Sequence, residues 1–395
     1  MLFVNYLLQI SSAALLLASC AAMSSSSASI LAGPVRNSTS WVFNADSDIH
    51  SSAAITKEGV VVFGSLSGMI YAVNISNGQS IWSKDSNGSY ITSSPALDAE
   101  ESIVILTTVN PAKNSEAIIL GLDPKTGDLF FQTNVSQLSP GVTSVYSTPL
   151  VLDNSAIIAC GDSILSIRIK HTYDANDEVP GTILWEYRVP FAKLLSTGAT
   201  LNSKVYFSTA NNKAIVALNT ETGLVCWKQS LNSFVSSSPV VDSEREILYA
   251  TASDGVHSIN ISNAIIDNCT NSSNIPIYGF DRKIWDYQAS AGISSVALSA
   301  DGNSIYFAAD NNVLYSLDVT DPFTYSSRWT FKTSNNILLS SPVVDKQGHV
   351  YIGDIGGVIY AVAGEDTTKN LWPPQGPGLP VMTAETVRAY IDYVD

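Results

Sequence analysis

Ser237-Ser238-Pro239-Val240-Val241-Asp242 is repeated without change as Ser340-Ser341-Pro342-Val343-Val344-Asp345. Looser copies of this hexamer begin at Ser51, Ser93, Ser147, Thr197 and Ser294. The residues at the proline position are Ala53, Pro95, Pro149, Ala199, Pro239, Val296 and Pro342. Successive copies therefore lie between 40 residues (Ala199 to Pro239) and 57 residues (Pro239 to Val296) apart. A unit that returns at this period predicts a repeat architecture.

Each unit continues in the same order, with an apolar strand, a tight turn, a second strand and a Gly-x-x-x-Trp ending. In the fourth unit these are Val205-Tyr206-Phe207, Asn211-Asn212, the stretch 215–219, and Gly223 to Trp227. Short β-branched and aromatic runs bounded by Gly, Asn, Asp and Pro are typical of strands joined by hairpins. A lone four-stranded sheet cannot bury both faces, whereas sheets stacked around an axis can. The sequence therefore predicts an all-β propeller of four-stranded antiparallel blades.

Eight aromatic residues occupy the outer-strand position, against seven inner-strand sites. They are Trp41, Trp82, Phe131, Trp185, Trp227, Trp285, Trp329 and Trp372. We expect these side chains to pack between blades, and either Trp41-Val42-Phe43 or Trp372 to belong to the last blade. We favour seven blades with Trp41-Val42-Phe43 as the strand that closes the ring, and keep eight blades as the alternative.

Four recurring motifs resemble the repeat of the pyrroloquinoline-quinone (PQQ)-like propellers, the superfamily of the quinoprotein alcohol dehydrogenases. They are Ser-Ser-Pro-Val-Val-Asp, Val-Tyr-x-Gly at Val350, Gly-x-Ile-Tyr-Ala at Gly357, and Gly-x-x-x-Trp. The resemblance implies the propeller fold from about Trp41 to Trp372. It implies no activity by itself, because the repeated Trp, Gly and Pro residues pack blades. In short chains with a signal segment, the same repeat is similar to that of an outer-membrane assembly lipoprotein, which is a non-catalytic scaffold.

Enzymes of this superfamily carry adjacent cysteines beside the quinone, a catalytic Asp, calcium ligands and a Trp under the ring. In this chain no two cysteines are adjacent, and no Cys-x-x-Cys-His motif for haem attachment occurs. We therefore expect no catalytic residue, no metal site and no cofactor, and favour a binding or scaffold protein. One alternative is a dehydrogenase that uses PQQ and calcium to oxidise an alcohol or a sugar. A further alternative is a bacterial outer-membrane assembly-type lipoprotein.

Composition indicates a globular chain that does not bind nucleic acid. Apolar residues make up 45% of the 395 residues, which is ample for a core. Thirty-five acidic residues against 20 basic ones give a net charge of −15, which repels phosphate backbones. We expect the partner to be a protein or a small polar ligand.

The chain divides into four predicted segments. Residues 1–22 predict a signal peptide, 23–40 a Ser-rich linker, 41–372 the propeller, and 373–395 a tail with a short helix beginning near Thr383. The apolar run before Ala22 is too short for a stable membrane span. We therefore expect no transmembrane segment in the mature chain.

Two routes out of the cytoplasm compete. Leu17-Ala18-Ser19-Cys20 fits a bacterial lipobox, which would anchor the chain through a lipid on Cys20 in the cell envelope. Seven Asn-x-Ser/Thr sequons instead favour a eukaryotic secretory route to the secretory lumen or the extracellular space. Their asparagines are Asn37, Asn74, Asn87, Asn134, Asn260, Asn268 and Asn271.

Cysteines and candidate polar sites offer little catalytic chemistry. Among Cys160, Cys226 and Cys269 at most one disulfide can form. Cys160 and Cys226 lie in apolar stretches predicted to form strands, where a free thiol would be buried. The four histidines share no zinc-ligand spacing. Asp98, Asp242 and Asp345 recur at one repeat position, which predicts turn-forming hydrogen bonds rather than catalysis.

Two features could still serve recognition. Hydroxyls begin all seven predicted inner strands and could ring one mouth of the central channel, although strand capping where blades converge is the favoured interpretation. They belong to Ser51, Ser93, Ser147, Thr197, Ser237, Ser294 and Ser340. Insertions at 170–180 and 262–273 interrupt the repeat, and extra loops on a rigid frame are natural recognition elements.

Overall fold

A computed structural model describes the chain from Phe43 to Val362 with internal gaps. The gaps are 50, 88–89, 111–115, 136–146, 171–178, 190–193, 195, 263–268, 270–281, 290–293, 338–340, 345–347 and 355–358. The expected signal peptide, linker and tail lie outside the described residues, as do Trp41 and Trp372.

The described residues form 28 strands in seven antiparallel sheets, which we number 1 to 7 along the chain. Sheets 1 to 3 contain β1 (Ala54–Ile55), β2 (Val60–Gly64), β3 (Met69–Asn74) and β4 (Ser80–Asp85); β5 (Tyr90–Ile91), β6 (Ala96–Leu97), β7 (Val104–Asn110), β8 (Glu116–Leu122) and β9 (Leu129–Val135); and β10 (Leu150–Val151), β11 (Ser155–Cys160), β12 (Ser163–Arg168) and β13 (Ile183–Arg188). Sheets 4 and 5 contain β14 (Ala199–Leu201), β15 (Lys204–Thr209), β16 (Ala214–Asn219) and β17 (Val225–Ser230); and β18 (Val240–Asp242), β19 (Ile247–Ala252), β20 (Gly255–Asn260) and β21 (Lys283–Gln288). Sheets 6 and 7 contain β22 (Ala297–Leu298), β23 (Ser304–Ala309), β24 (Val313–Asp318) and β25 (Ser326–Lys332); and β26 (Val343–Val344), β27 (Val350–Gly353) and β28 (Ile359–Val362).

Burial explains why these sequences form strands at these places. In β19 every residue is buried, and alternate side chains enter different cores, since Leu248 packs with sheet 4 and Tyr249 packs with sheet 6. A strand covered on both faces needs a continuous apolar run rather than alternation. The outer strands alternate instead: exposed residues alternate with half-buried ones in β4 and with buried ones in β9.

Consecutive sheets stack face to face through shared hydrophobic cores. Six cores join sheets 1–2, 2–3, 3–4, 4–5, 5–6 and 6–7. The first strands also meet, as β14 lies against β18, β18 against β22, and β22 against β26. Antiparallel sheets stacked in this way form a β-propeller, so the predicted fold class is confirmed.

Sheets 1 and 7 are the two ends of the described propeller, and the described residues show a segment packed on the outward face of sheet 1 only. Phe43 packs on the outward face of sheet 1, with its ring centroid 5.7 Å from that of Phe63 and 5.2 Å from that of Tyr71. On sheet 7, Tyr351 of β27 keeps 37% of its surface exposed. Because Trp41 and Trp372 lie outside the described residues, the closing strand and the blade number stay predictions.

Two regularities were not visible in the sequence. In each of sheets 1 to 6 the pairing of third and fourth strands slips by one residue beside the outer-strand aromatic, as between Ala72 and Val73 opposite Trp82. A bulge at this position turns the outer strand and re-aims its aromatic side chain. Sheet 2 has an extra strand, because β5 and β6 both pair with β7.

In the described residues no helix is long and apolar enough to cross a membrane.

Candidate functional site

In the six hexamers whose first hydroxyl is described, that hydroxyl completes the sheet that the hexamer opens. Its oxygen accepts the N–H of a second-strand residue that lies beyond the end of the short first strand, and in four sheets the hydroxyl also donates to the carbonyl of that residue. The N–H donors, with their N···Oγ distances, are Gly64 to Ser51 (2.9 Å), Thr107 to Ser93 (2.9 Å), Ser208 to Ser196 (3.2 Å), Thr251 to Ser237 (3.0 Å), Ala159 to Ser147 (3.4 Å) and Ala308 to Ser294 (3.3 Å). Each hydroxyl thereby satisfies backbone groups that burial would leave unpaired.

In five hexamers the second hydroxyl joins its sheet to the preceding one. Its oxygen accepts the backbone N–H of the corresponding residue in the preceding sheet. These bonds run from Ser52 to Ser94 (2.7 Å), Thr148 to Thr197 (3.2 Å), Thr197 to Ser238 (3.0 Å), Ser238 to Ser295 (3.1 Å) and Ser295 to Ser341 (3.0 Å). The doubled Ser-Ser is therefore used twice, once within a sheet and once between sheets.

This geometry corrects the register of one predicted site residue. Thr197 accepts from Thr148 and donates to Ser238, so it corresponds to the second serine of the hexamer. Ser196 holds the first position, which the sequence alignment assigned to Thr197. Ser340 lies outside the described residues.

The described first hydroxyls of the hexamers are buried in the protein. Ser93, Ser147, Ser237 and Ser294 are fully buried, and Ser51 is 8% exposed. Their oxygens bond to backbone groups of their own sheet. A ligand at the channel mouth would have to compete with those bonds, which favours the strand-capping interpretation.

Three of the five described outer-strand tryptophans fasten neighbouring sheets at the rim. The indole Nε1–H donates to a carbonyl in the turn between the third and fourth strands of the next sheet. The pairs are Trp82 with Pro124 (3.0 Å), Trp185 with Thr220 (2.9 Å) and Trp285 with Pro322 (3.3 Å). A Cβ on Gly223, where φ is +68°, would lie 2.5 Å from the ring of Trp185, so the ring requires glycine there.

The junction between sheets 4 and 5 is closed differently. Cys226, beside Trp227 in β17, forms a disulfide with Cys269 of the second insertion. The Arg282 guanidinium lies 4.9 Å from the centroid of the Trp227 ring. The expectation of a buried free thiol is therefore wrong for Cys226, while Cys160 is free and buried.

A polar cluster in sheet 1 fixes the segment before the first strand. Asp46 accepts hydrogen bonds from the hydroxyls of Ser67 (2.5 Å), Tyr71 (2.6 Å) and Ser65 (3.1 Å). Hydrogen bonds from Ser67 and Tyr71 hold the pKa of Asp46 below its ordinary value. In sheet 7, Tyr360 likewise donates to Asp354 at 2.9 Å. The cluster anchors a segment and holds no open coordination site.

Sheet 5 places histidine where sheet 1 has Tyr71, at the third residue of the third strand. His257 is buried, with Nδ1 2.7 Å from Asp286 and Nε2 2.9 Å from Asp254. Each ring nitrogen of His257 thus lies within hydrogen-bonding distance of one carboxylate. Burial raises the pKa of Asp254, but hydrogen bonds from Ser233 and His257 outweigh burial and leave it below 3.8. Sequence reasoning missed this site, because its acids are far apart in the chain.

The recurring aspartates form turns as their position predicts. Asp98 accepts the N–H groups of Ser102 (2.6 Å) and Ile103 (2.8 Å), and Asp242 accepts those of Glu244 and Arg245 (both 3.1 Å). Asp345 lies outside the described residues. Of the first insertion, Lys170 is described, and its ammonium pairs with Asp98 at 2.9 Å across the boundary between sheets 3 and 2.

Two sequons coincide with a turn of the repeat. Asn74 and Asn260 end third strands, and each side-chain oxygen accepts the N–H of the residue two positions later, at 2.9 and 2.8 Å. Asp123 and Asn219 make the same bond in their sheets. Asn87 and Asn134 are exposed. Asn37, Asn268 and Asn271 lie outside the described residues, and glycosylation stays a prediction for all seven.

The described cysteines and tryptophans are used within the sheets and at their junctions. Cys226 pairs with a cysteine 43 residues away, and Cys160 is buried in sheet 3. The five described tryptophans all lie on outer strands, where they pack at sheet junctions or rims. Within the described ranges, no group of three or more His, Cys, Asp or Glu side chains could hold a metal ion.

Comparison with known proteins agrees with this architecture. A family model described as outer membrane protein assembly factor BamB matches residues 32–172 and 170–389. The chain belongs to this family of PQQ-like repeat propellers. Among curated proteins no sequence matches it.

Solved structures share the fold at low sequence identity. BamB from Moraxella catarrhalis is 18% identical, with a TM-score of 0.59 over 81% of this chain and 86% of that one. Sqt1 from Saccharomyces cerevisiae is 12% identical, with a TM-score of 0.59 over 86% and 93%. A europium-containing methanol dehydrogenase is 11% identical, with a TM-score of 0.54 over 77% and 72%. At these identities the likeness concerns the fold alone.

Proposed function

We propose that this PQQ-like propeller is a non-catalytic scaffold that binds a protein partner in the secretory lumen or outside the cell. The observation that carries the proposal is the use of the inner-strand hydroxyls. They bond the backbone within and between sheets, which makes the repeated residues architectural. Recognition then falls to features that individual sheets add to the common frame. The likeness to BamB supports a scaffold of this kind.

The disulfide supports the proposed compartment. Cys226–Cys269 joins two sheets, while Cys160 is the one free thiol in the described part of the chain, and disulfides persist in oxidising compartments. A lipid anchor on Cys20 in a bacterial envelope would satisfy the same requirement. Both locations lie outside the reducing cytoplasm.

The turn between β24 and β25 offers a contact of this kind. Phe323 is 68% exposed, more than any other large apolar side chain in the described part of the chain. Its N–H donates to Asp321 at 3.0 Å, and the Trp285 indole holds Pro322 of the same turn, so the ring stands on an ordered base. A rigid exposed aromatic is the usual anchor of a protein interface. With a net charge of −15, this protein suits a partner whose apolar pocket has a basic rim.

The test compares two substitutions of exposed phenylalanine. Phe323→Ser should weaken binding to a partner captured and purified from the source cells by at least about tenfold, the range expected for a hot-spot aromatic. Phe130→Ser, at a residue that is 50% exposed in β9, is the matched control and should leave the affinity unchanged. Equal affinities for both variants and the wild type would remove Phe323 from the interface. Failure of the immobilised wild type to retain any protein would contradict the scaffold proposal itself.

A further inference from the structure

The junction between sheets 4 and 5 differs from three of the other rim junctions. Trp82, Trp185 and Trp285 each donate an indole hydrogen bond to the next sheet. Trp227 occupies the same position, but its Nε1 is buried without an acceptor in the described part of the chain. A buried donor without an acceptor weakens the contact that contains it.

Other bonds replace the missing one. Cys226 lies at the bulge of β17, between Val225 and Trp227, and its sulfur is bonded to Cys269 of sheet 5. The backbone N–H of Arg282 donates to Gln229 Oε1 at 2.8 Å, and its guanidinium covers the Trp227 ring. Both links connect β17 to the chain that precedes β21. The disulfide therefore lies at one of the two described junctions whose indole donates no hydrogen bond, the other being the junction that contains Trp329.

We propose that this junction is a redox-sensitive clasp, which the Cys226–Cys269 disulfide closes and a dithiol reductant opens while the other junctions stay closed. The four residues Cys226, Trp227, Cys269 and Arg282 form the clasp. The inference does not depend on the identity of a binding partner. It concerns how one seam of the propeller responds to the redox state of its surroundings.

The exchange is balanced by the reductant. One thiolate of the dithiol attacks a sulfur of the disulfide, which forms a mixed disulfide and releases one protein thiolate that takes up a proton. The second thiol of the reductant, as its thiolate, then displaces the other protein sulfur. Two electrons and two protons pass to the protein, and the reductant leaves as a disulfide. Cys269 is only partly buried, which gives the attacking thiolate access.

Cys160 supplies an internal standard. It is fully buried in β11, and burial, together with the nearby Asp162 and Glu186, raises the pKa of its thiol. A protonated, buried thiol reacts with alkylating agents only when its surroundings open. Alkylation of Cys160 therefore reports global unfolding, whereas alkylation of Cys226 and Cys269 reports the clasp.

The experiment treats the folded full chain with dithiothreitol and then with iodoacetamide, and locates the labels by mass spectrometry. We expect labels on Cys226 and Cys269 and none on Cys160. Hydrogen exchange of the reduced protein should be at least about tenfold faster in Val225–Ser230 and unchanged in Ile183–Arg188, the equivalent strand of sheet 3, because local openings are independent of one another. The double substitution Cys226→Ser with Cys269→Ser should show the same pattern without reductant.

Trp185→Phe is the control for a junction of the ordinary kind. It should speed exchange in Ile183–Arg188 equally with and without dithiothreitol. Three results would overturn the clasp: a disulfide that resists reduction until Cys160 also reacts, unchanged exchange in Val225–Ser230 after reduction, or an equal rise in both strands. If the double substitution does not fold, the reduced wild type decides the matter alone.

Discussion

Single residues in this propeller act on neighbours that are distant in sequence. Ser237 is fully buried, and its hydroxyl accepts from the N–H of Thr251 and donates to the carbonyl of Thr251 at 2.8 Å. The adjacent Ser238 accepts from Thr197 of the preceding sheet. One hydroxyl thus bonds within its own sheet and its neighbour bonds to the preceding sheet, which explains why the sequence repeats the pair.

Removing the first hydroxyl should destabilise the protein. Ser237→Ala leaves two buried backbone groups of Thr251 without partners, so we expect the free energy of unfolding to fall by about 1–3 kcal/mol. Urea titration followed by tryptophan fluorescence measures it. Ser243→Ala, at an exposed neighbouring site, should change stability by no more than about 0.5 kcal/mol. If the two variants were equally stable, Ser237 would have no capping role.

The limits of sequence reasoning at this scale have physical causes. Ser196-Thr197-Gly198-Ala199 can align with the hexamer in two registers, and only hydrogen-bond geometry separates them. The partner of Cys226 lies in an insertion, where the repeat provides no alignment. Asn74 and Asn260 match a glycosylation pattern because the repeat places asparagine in a turn and a serine two residues later.

At the scale of elements, the sheets repeat one order of strands and turns, and individual sheets differ from it by single residues or by an added strand. The order of four strands follows from apolar runs and turn residues, so it was predictable. The extra strand β5 was not, because Tyr90–Ile91 is too short for a periodic signal. The His257 cluster was also missed, since its acids come from the β19–β20 turn and from β21, and the fold alone brings them together.

Acid should weaken sheet 5 through Asp254. Its pKa in the folded protein lies below the 3.8 of an unperturbed aspartate, because hydrogen bonds from Ser233 and His257 outweigh its burial. A depressed pKa gives stability that is present above the unfolded value and lost as pH falls through the folded value. We therefore expect the free energy of unfolding to decline below about pH 4. Asp254→Asn should show a shallower decline, and an unchanged profile would contradict this role.

At the scale of the whole molecule, adjacent sheets are joined at three radii. Hydroxyl-to-backbone bonds join the inner strands, apolar cores join the sheet faces, and tryptophans or a disulfide join the rims. The repeated residues are accounted for by these junctions, which is why a repeat alone identifies the fold and not an activity. Features of single sheets, such as Phe323 and the Cys226–Cys269 bond, are where this chain differs from its own pattern.

We propose that this propeller is a scaffold and works without a quinone. Titration of the purified protein with PQQ and calcium, followed by tryptophan fluorescence and thermal unfolding together, tests it most directly, because a ligand bound only by the native state raises its stability. We predict no saturable quenching and no change in melting temperature. Saturable quenching with a rise in melting temperature would contradict the claim and point to a quinone-dependent dehydrogenase.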